Sequence, residues 1–139
     1  MEHKKVFFDA NILLDIIITE RKGNLYAKEL WKYLVLKSID IVISEDILTN
    51  VFYISKNKKD ALTFFELIQD RWEIVPFGKK VIRNAIKHSL ENNLDLEDQL
   101  QCLCAKENEC QILITNDKKF YGCGLDVLSA EAFLEKHDD

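Results

Sequence analysis

The sequence contains few residues that interrupt secondary structure, since its 139 residues include one proline and four glycines. It has no Pro- or Gly-rich stretch, no internal repeat and no low-complexity tract that would mark a linker between domains. A chain of this length usually forms one domain with a sizeable core. We therefore predict a single domain over residues 1–139.

Long apolar segments are also lacking, although hydrophobic residues make up 47% of the chain. No apolar run approaches the roughly 20 residues that a membrane-spanning helix needs. The N-terminal region combines a basic flank with an apolar stretch, but Asp9 and Asp15 interrupt that stretch and no small-residue cleavage site follows. We therefore expect no signal peptide, no membrane association and a cytoplasmic location.

Metal-binding cysteine patterns are missing as well. The four cysteines form no C-x-x-C pair, and no histidine lies at a zinc-finger distance from them, which argues against structural zinc. Two of them fall inside a helical pattern, where reduced cysteine behaves as a small buried hydrophobe. We predict such free, buried thiols at Cys102 and Cys104; the others are Cys110 and Cys123.

Positive charge is in deficit, because 24 acidic residues outnumber 19 basic ones and the formal net charge is −5. A module that binds nucleic acid mainly by neutralising phosphates is basic, so this balance argues against a pure binding module. It suits an enzyme whose acids are concentrated at a metal site. Basic patches remain, as a nucleic-acid surface or as ordinary solvated surface: Lys56, Lys58, Lys59, Lys79, Lys80, Arg83 and Lys87.

Short β-type runs alternate with helical patterns along the chain. Strands are predicted at 4–8, 40–43, 72–75, 111–115 and 127–128. Helices are predicted at 11–19, 25–37, 60–70, 79–91, 95–106 and 130–136, and another follows Ser44, a good N-cap residue, as Ser129 is for the last helix. The alternation predicts an α/β fold, a three-layer α/β/α sandwich with a short parallel central sheet.

Two of the predicted strands lead directly into carboxylates. Residues 6–8 end at Asp9, and residues 112–114 are followed by Thr115, Asn116 and Asp117. Parallel sheets bind ligands at the carboxyl ends of their strands, so the two carboxylates meet if both strands are central. Each aspartate taken alone is explained equally by a turn or a helix N-cap.

Asp98 lies on the predicted helix 95–106, and its surroundings distinguish it from an ordinary surface acid. Cys102 and Ala105 share its side of the helix and prefer burial, so Asp98 is expected at the open end of a second packed face. Asp95, one turn earlier, could share the site, whereas Glu97 points about 100° away. The first packed face is predicted to be a core stripe of Leu96, Leu100, Leu103 and Cys104.

Asp15 is surrounded by apolar residues in the helix that follows the first strand, four residues after Asn11. An unpaired buried charge is costly. Asp15 therefore either reaches a basic partner or faces a polar site beside Asn11, and the sequence leaves both alternatives open.

Carboxylates that are forced together repel each other unless a cation neutralises them. Oxygen ligands without cysteine or histidine suit Mg²⁺ or Mn²⁺. Such an ion activates a water and stabilises charge on a phosphodiester during its cleavage. The sequence therefore predicts a Mg²⁺ or Mn²⁺ site at Asp9, Asp98 and Asp117.

Four segments, FFDANILLDII, ISEDILTNVFYI, DLEDQLQCLCA and ILITNDKKFYGCGLDVLSAEAFL, resemble the PIN-domain family, including VapC-type toxins of bacterial toxin–antitoxin pairs. The resemblance covers nearly the whole chain. It implies a PIN-like fold and a Mg²⁺- or Mn²⁺-dependent endoribonuclease with RNA as its substrate. It also implies an antitoxin protein as partner and a possible homodimer.

By position in these motifs, Asp9 corresponds to the family's first acid, Asp98 to the third and Asp117 to the acid after the fourth strand. Thr115 and Asn116 correspond to the polar residues beside the last of these. The chain departs from the pattern at the second acid, a glutamate in the family, which falls at Asn50 here. This resemblance implies that Asn50 hydrogen-bonds a metal-bound water. Glu45 and Asp46, at the start of the same helix, are expected to interact with the helix dipole.

Other functions remain as alternatives. Asn50 and the net negative charge also fit a PIN-like scaffold of weak or absent activity that binds RNA or a protein partner. A phosphotransferase would begin D-x-D and a receiver domain needs paired acids, neither of which is present, and the glycines form no nucleotide-binding motif. Four aromatic residues could supply a partner surface or simply pack in the core: Trp31, Tyr33, Phe64 and Phe65.

Overall fold

The central sheet has five strands that all run parallel, in the order β3-β2-β1-β4-β5. The structure, a computed structural model, describes residues 4–137. The strands are β1 (Lys5–Phe8), β2 (Asp40–Ser44), β3 (Glu73–Val75), β4 (Ile112–Ile114) and β5 (Asp126–Leu128). Each predicted strand is present, and no strand end differs from its prediction by more than one residue.

Seven helices in the described part of the chain cover the sheet: α1 (Ala10–Ile17), α2 (Asn24–Leu36), α3 (Glu45–Ile54), α4 (Lys58–Ile68), α5 (Gly78–Asn92), α6 (Leu96–Glu107) and α7 (Ala130–His137). Helices α1 to α4 and α7 pack against one another, and α5 packs against α6. Right-handed crossovers place these two groups on opposite faces, because the chain moves along the sheet in one direction before β3 and in the other after it. The predicted three-layer α/β/α sandwich is confirmed.

Strands β1 and β4 are neighbours at the centre of the sheet. Phe7, Phe8, Leu113 and Ile114 have no exposed surface, as expected for parallel strands covered by helices on both faces. The pairing continues past the strand ends, because the backbone N–H of Asp9 donates to the Ile114 carbonyl at 3.0 Å. The carboxyl ends of these two strands therefore meet.

The aromatic residues considered as a partner surface lie mainly in the core. Trp31 packs edge-on against Phe64 and Trp72, with ring centroids 5.4 and 6.0 Å apart. Phe65 is half-buried against the same core. Tyr33 packs edge-on against Phe133 of α7 at 5.8 Å. Core packing thus explains these four side chains.

The predicted core stripe on α6 is wrong in part. Leu96 is 45% exposed, and Leu100 and Leu103 are only half-buried, while Cys104 is buried as predicted. The other buried residues of α6 are Gln99, Gln101, Cys102 and Ala105. The helix lies between the sheet and the 115–125 segment, so its polar residues are enclosed. A scale of residue hydrophobicity cannot reveal this, because it depends on tertiary neighbours.

Cys102 is not a free thiol, since it forms a disulfide with Cys123 that joins α6 to the segment between β4 and β5. It is fully buried, as expected, but the prediction of a reduced side chain was wrong. Cys104 and Cys110 are free and buried, and burial raises the pKa of each thiol to about 12. The pairing depends on how the segment folds over α6, which spacing along the chain does not encode.

Ser44 occupies the N-cap position of α3 as predicted, but its hydroxyl does not cap the helix. It contacts the side chains of Asp46 and Gln101 instead. Ser129 does cap α7, because its hydroxyl oxygen accepts from the Ala132 N–H at 3.0 Å. Among residues 4–137, no helix has the length and apolar character to cross a membrane.

Candidate active site

Asp9 follows β1 directly, and its two carboxylate oxygens make different contacts. One carboxylate oxygen accepts from the Ala10 N–H at 2.8 Å and so caps α1. The other accepts from the Thr115 hydroxyl at 2.8 Å and from the Asn11 amide at 3.2 Å. The capping bond fixes the side chain at the carboxyl edge of the sheet, where it faces the residues that follow β4.

The residues after β4 are tied to the start of α1 by polar side chains. The Asn11 amide donates to the Thr115 hydroxyl at 3.1 Å, and the Asn116 N–H donates to the Asn11 side-chain oxygen at 3.1 Å. The Thr115 oxygen also accepts from the Asp117 N–H at 3.1 Å. This network sets the path of the chain into Asp117, whose exposed carboxylate accepts from the Lys119 N–H at 2.9 Å.

Asp15 satisfies both of the alternatives left open for it. Its carboxylate pairs with Arg21 at 2.7 Å and accepts from the Asn116 amide at 2.7 Å. The side chain is almost fully buried. Gly23 is required beside it, because a Cβ at that position would lie 2.3 Å from the Asp15 carboxylate. Asp15 therefore joins the turn after α1 to the residues after β4.

The first turn of α6 brings two further predicted residues to this region. Asp95 is the N-cap, and its carboxylate accepts from the Asp98 N–H at 3.0 Å. Asp95 is exposed, and capping is the contact the structure gives it. Asp98 is half-buried and accepts from the Tyr121 N–H at 3.4 Å.

Asp46 and Glu97, which were not expected at the site from the sequence, also belong to this region, together with the amide of Gln101. The Asp46 carboxylate accepts from the Gln101 amide at 3.1 Å, which joins α3 to the buried side of α6. Burial, and after it the charges of Asp9 and Asp46, raise the pKa of Glu97, so its charge belongs with theirs. We name Asp9, Asp46, Glu97, Asp98 and Asp117 the acidic edge.

Asn50, the residue at the place of the family's second acid, is half-buried on α3, and its side chain makes no hydrogen bond to other residues within 4–137. Asp46 lies one helical turn before it, on the same side of α3. The four-residue spacing of Asp46 and Asn50 in the sequence indicates that both side chains lie on the same side of one helix. The helix-dipole role predicted for Asp46 is incomplete, because its carboxylate also interacts with Asp9.

Burial and electrostatic repulsion raise the pKa values of Asp9 and Asp98. Burial raises the pKa of Asp9, and the charges of Asp117 and Asp46 raise it further against the hydrogen bonds from Thr115 and Ala10. Burial also raises the pKa of Asp98 to about 6, with added repulsion from Asp95, Asp117 and Asp9. Their charged forms are thus disfavoured in the protein alone, and a cation would relieve the repulsion.

The donor chemistry of the acidic edge fits Mg²⁺ or Mn²⁺, since every candidate ligand atom is an oxygen. In residues 4–137, no three acidic, histidine or cysteine side chains are close enough together to enclose an ion as they stand. Mg²⁺ commonly keeps several waters and takes only one or two protein carboxylates, so such an open arrangement is compatible with it.

The basic patches named from the sequence are partly engaged elsewhere. Lys58 donates to the Phe52 and Tyr53 carbonyls at the end of α3, and Lys80 pairs with Glu107 at 3.4 Å. Three other cations, Arg21, Lys22 and Lys118, lie closer to the acidic edge and line one groove with Asp117. Their proximity is not visible in the sequence, because Arg21 and Lys22 are nearly a hundred residues from Lys118.

Comparison with protein families gives a match to the PIN domain over residues 6–123. The chain is 36% identical over 140 residues to Ribonuclease VapC1 of Aquifex aeolicus (strain VF5), covering 98% of this chain and 97% of that protein.

Solved structures share the fold at lower identity. VapC20 of Mycobacterium tuberculosis, described as a sarcin-ricin loop cleaving toxin, superposes with a TM-score of 0.69 at 11% identity, over 83% of this chain and 92% of that one. VapBC2 of Rickettsia felis, solved with a DNA fragment of its promoter, gives 0.67 at 20% identity, over 88% and 96%. At these identities the similarity shows the fold alone.

Proposed function

The chain belongs to the PIN-domain family, and on that basis we propose that it is a Mg²⁺- or Mn²⁺-dependent endoribonuclease that cleaves RNA phosphodiester bonds at its acidic edge. The observation that carries the proposal is the convergence of Asp9, Asp98 and Asp117, from three separate elements, to within electrostatic range. The similarity to Ribonuclease VapC1 supports RNA as the substrate.

Asp9, Asp98 and Asp117 would hold the ion, which supplies a water of lowered pKa and neutralises charge on the phosphodiester. Asn11 and Thr115 orient Asp9 through their hydrogen bonds to its carboxylate. Asp46 and Asn50 lie on the same side of α3, and Asn50 stands where the family has its second acid. Asp95 positions the first turn of α6.

A cleavage assay tests the proposal. Purified protein is incubated with a broad pool of RNA in Mn²⁺ or in EDTA, beside the Asp9→Asn variant. We expect cleavage by the unaltered protein in Mn²⁺ alone, and none by Asp9→Asn. An RNA pool left intact by folded protein in both Mn²⁺ and Mg²⁺ would refute the nuclease.

The biological setting follows from the same relatives. Several solved neighbours are VapBC complexes, and one is called a toxin–antitoxin complex from Klebsiella pneumoniae. We propose that this chain is likewise the toxin of a pair, that it acts in the cytoplasm, and that a small antitoxin binds it. The antitoxin should be encoded beside the gene and co-purify when both are expressed. A homodimer is a further prediction.

The alternative, a PIN-like scaffold without useful catalysis, is favoured by Asn50 and by the absence of a closed three-acid cluster among residues 4–137. Calorimetry separates the two functions. Heat from Mn²⁺ binding that disappears in Asp98→Asn supports the enzyme. No Mn²⁺ binding, with RNA or antitoxin binding intact, supports the scaffold.

A further inference from the structure

A groove of about 840 Å³ opens beside the acidic edge and is not used by the chemistry described above. The turn after α1 and the start of α2 form one wall, and the residues after β4, with the start of α7, form the other. Asp117 belongs both to this groove and to the acidic edge. A ligand in the groove is therefore continuous with the place where cleavage is proposed.

Two cations that face this groove from opposite walls have no side-chain partner among the described residues. Lys22 and Lys118 are exposed, and neither makes a hydrogen bond or an ion pair with another residue in the described range 4–137. Arg21 also lines the groove, but its guanidinium is paired with Asp15. In a chain of net charge −5, two unpaired ammonium groups beside a cluster of acids point to an anionic ligand.

Aromatic rings accompany these cations. Tyr26 lines the groove with 42% of its surface exposed, and the neighbouring Glu131 raises the pKa of its hydroxyl. Phe120, half-buried, lines the opposite wall. Unpaired bases stack on such rings with little dependence on sequence, while cations follow the phosphates. A groove with both features suits a nucleic-acid strand better than a lone anion.

We propose that this groove binds the RNA strand next to the cleaved phosphodiester, with Lys22 and Lys118 contacting phosphates and Tyr26 and Phe120 stacking on a base. The substrate class rests on the proposed nuclease function. The strand is single, because stacking on a protein ring needs an unpaired base and the groove has the size of a small-molecule pocket rather than of a duplex.

The test compares Lys22→Ala/Lys118→Ala with Lys28→Ala/Lys32→Ala, a control of equal charge on the side of α2 turned away from Tyr26. The probe is a short fluorescent single-stranded RNA of mixed sequence, with binding measured by anisotropy in EDTA. We expect the groove variant to weaken binding about tenfold and to lower the salt slope of log K by about 1.4, near 0.7 for each lost phosphate contact. The control should bind like the unaltered protein.

Kinetics and a second variant complete the test. In Mn²⁺, the Lys22/Lys118 variant should raise KM with kcat unchanged, and Tyr26→Ala should weaken binding while Tyr26→Phe does not. Equal RNA affinity and KM in the groove variant and the control would overturn the proposal, as would loss of antitoxin binding with RNA binding intact. If the protein binds RNA through these lysines but cleaves none, the nuclease fails and the groove stands.

Discussion

At the scale of single residues, Asp98 carries a charge that the metal-free protein disfavours. Burial and neighbouring acids raise its pKa from 3.8 to about 6. Because the folded pKa lies above the unfolded one, this group lowers stability at neutral pH, and the penalty is relieved as the pH falls from about 6 toward 4. A residue kept at such a cost is typical of a binding site rather than of a structural contact.

Asp98→Asn should therefore stabilise the protein in EDTA at neutral pH, by up to about 1 kcal/mol because the side chain is partly screened by solvent. Thermal melting measures the change, and the gain should shrink in acid as Asp98 itself becomes protonated. The exposed Asp70→Asn is the control and should melt like the unaltered protein. A lower melting temperature for Asp98→Asn would show that Asp98 is a structural residue.

Asp15, in contrast to Asp98, is predicted to stabilise the fold. Asp15→Ala leaves Arg21 and the Asn116 amide without their carboxylate and should lower the free energy of unfolding by about 2–4 kcal/mol. Urea denaturation measures the loss as a lower midpoint. Asp70→Ala, which removes an exposed carboxylate, should leave the midpoint unchanged. A similar midpoint for Asp15→Ala would mean that the buried pair contributes no net stability.

At the scale of elements, the Cys102–Cys123 disulfide fastens the segment between β4 and β5 to α6. The same two elements carry Asp117 and Asp98. The bridge closes a loop of 21 residues, a length for which the entropic model gives about 3 kcal/mol. It thus restrains two candidate ligands relative to each other.

Reduction of this disulfide should lower the free energy of unfolding by about 2–3 kcal/mol. Denaturation with and without a thiol reductant measures the loss. In Cys123→Ser the same reductant should have no further effect, which controls for its action on Cys104 and Cys110. Four titratable thiols in unfolded, air-oxidised protein would contradict the bridge.

The helices and strands were predictable because their signals are local: alternating apolar runs, caps and the carboxylates that end β1 and precede α6. The predictions that failed concern residues whose burial and partners are determined by the tertiary structure. Gln101 is enclosed because α3 supplies Asp46 as its partner, and Cys123 pairs with Cys102 because its segment folds over α6. Residue hydrophobicity therefore predicted a core position for Leu96, which is exposed, and not for Gln101.

At the scale of the whole molecule, the topology determines which distant residues meet. The order β3-β2-β1-β4-β5 places β1 beside β4, and the crossovers bring α3 and α6 to the same end of the sheet. Family motifs predicted Asp9, Asp98 and Asp117, and the four-residue spacing from Asn50 was a signal for Asp46. Glu97 and the Lys22–Lys118 groove emerge only once the chain is folded. The acidic chain thus presents an acidic edge beside a groove whose cations Lys22 and Lys118 have no side-chain partner within residues 4–137.

The most direct test of the central claim is the single-turnover rate of RNA cleavage as Mn²⁺ is titrated, for the unaltered protein and Asp98→Asn. We predict that the rate rises with Mn²⁺ to a plateau, vanishes in EDTA, and falls by about 100-fold or more in Asp98→Asn. Cleavage in EDTA at the plateau rate, or an Asp98→Asn rate equal to that of the unaltered protein, would contradict a metal-dependent site at the acidic edge.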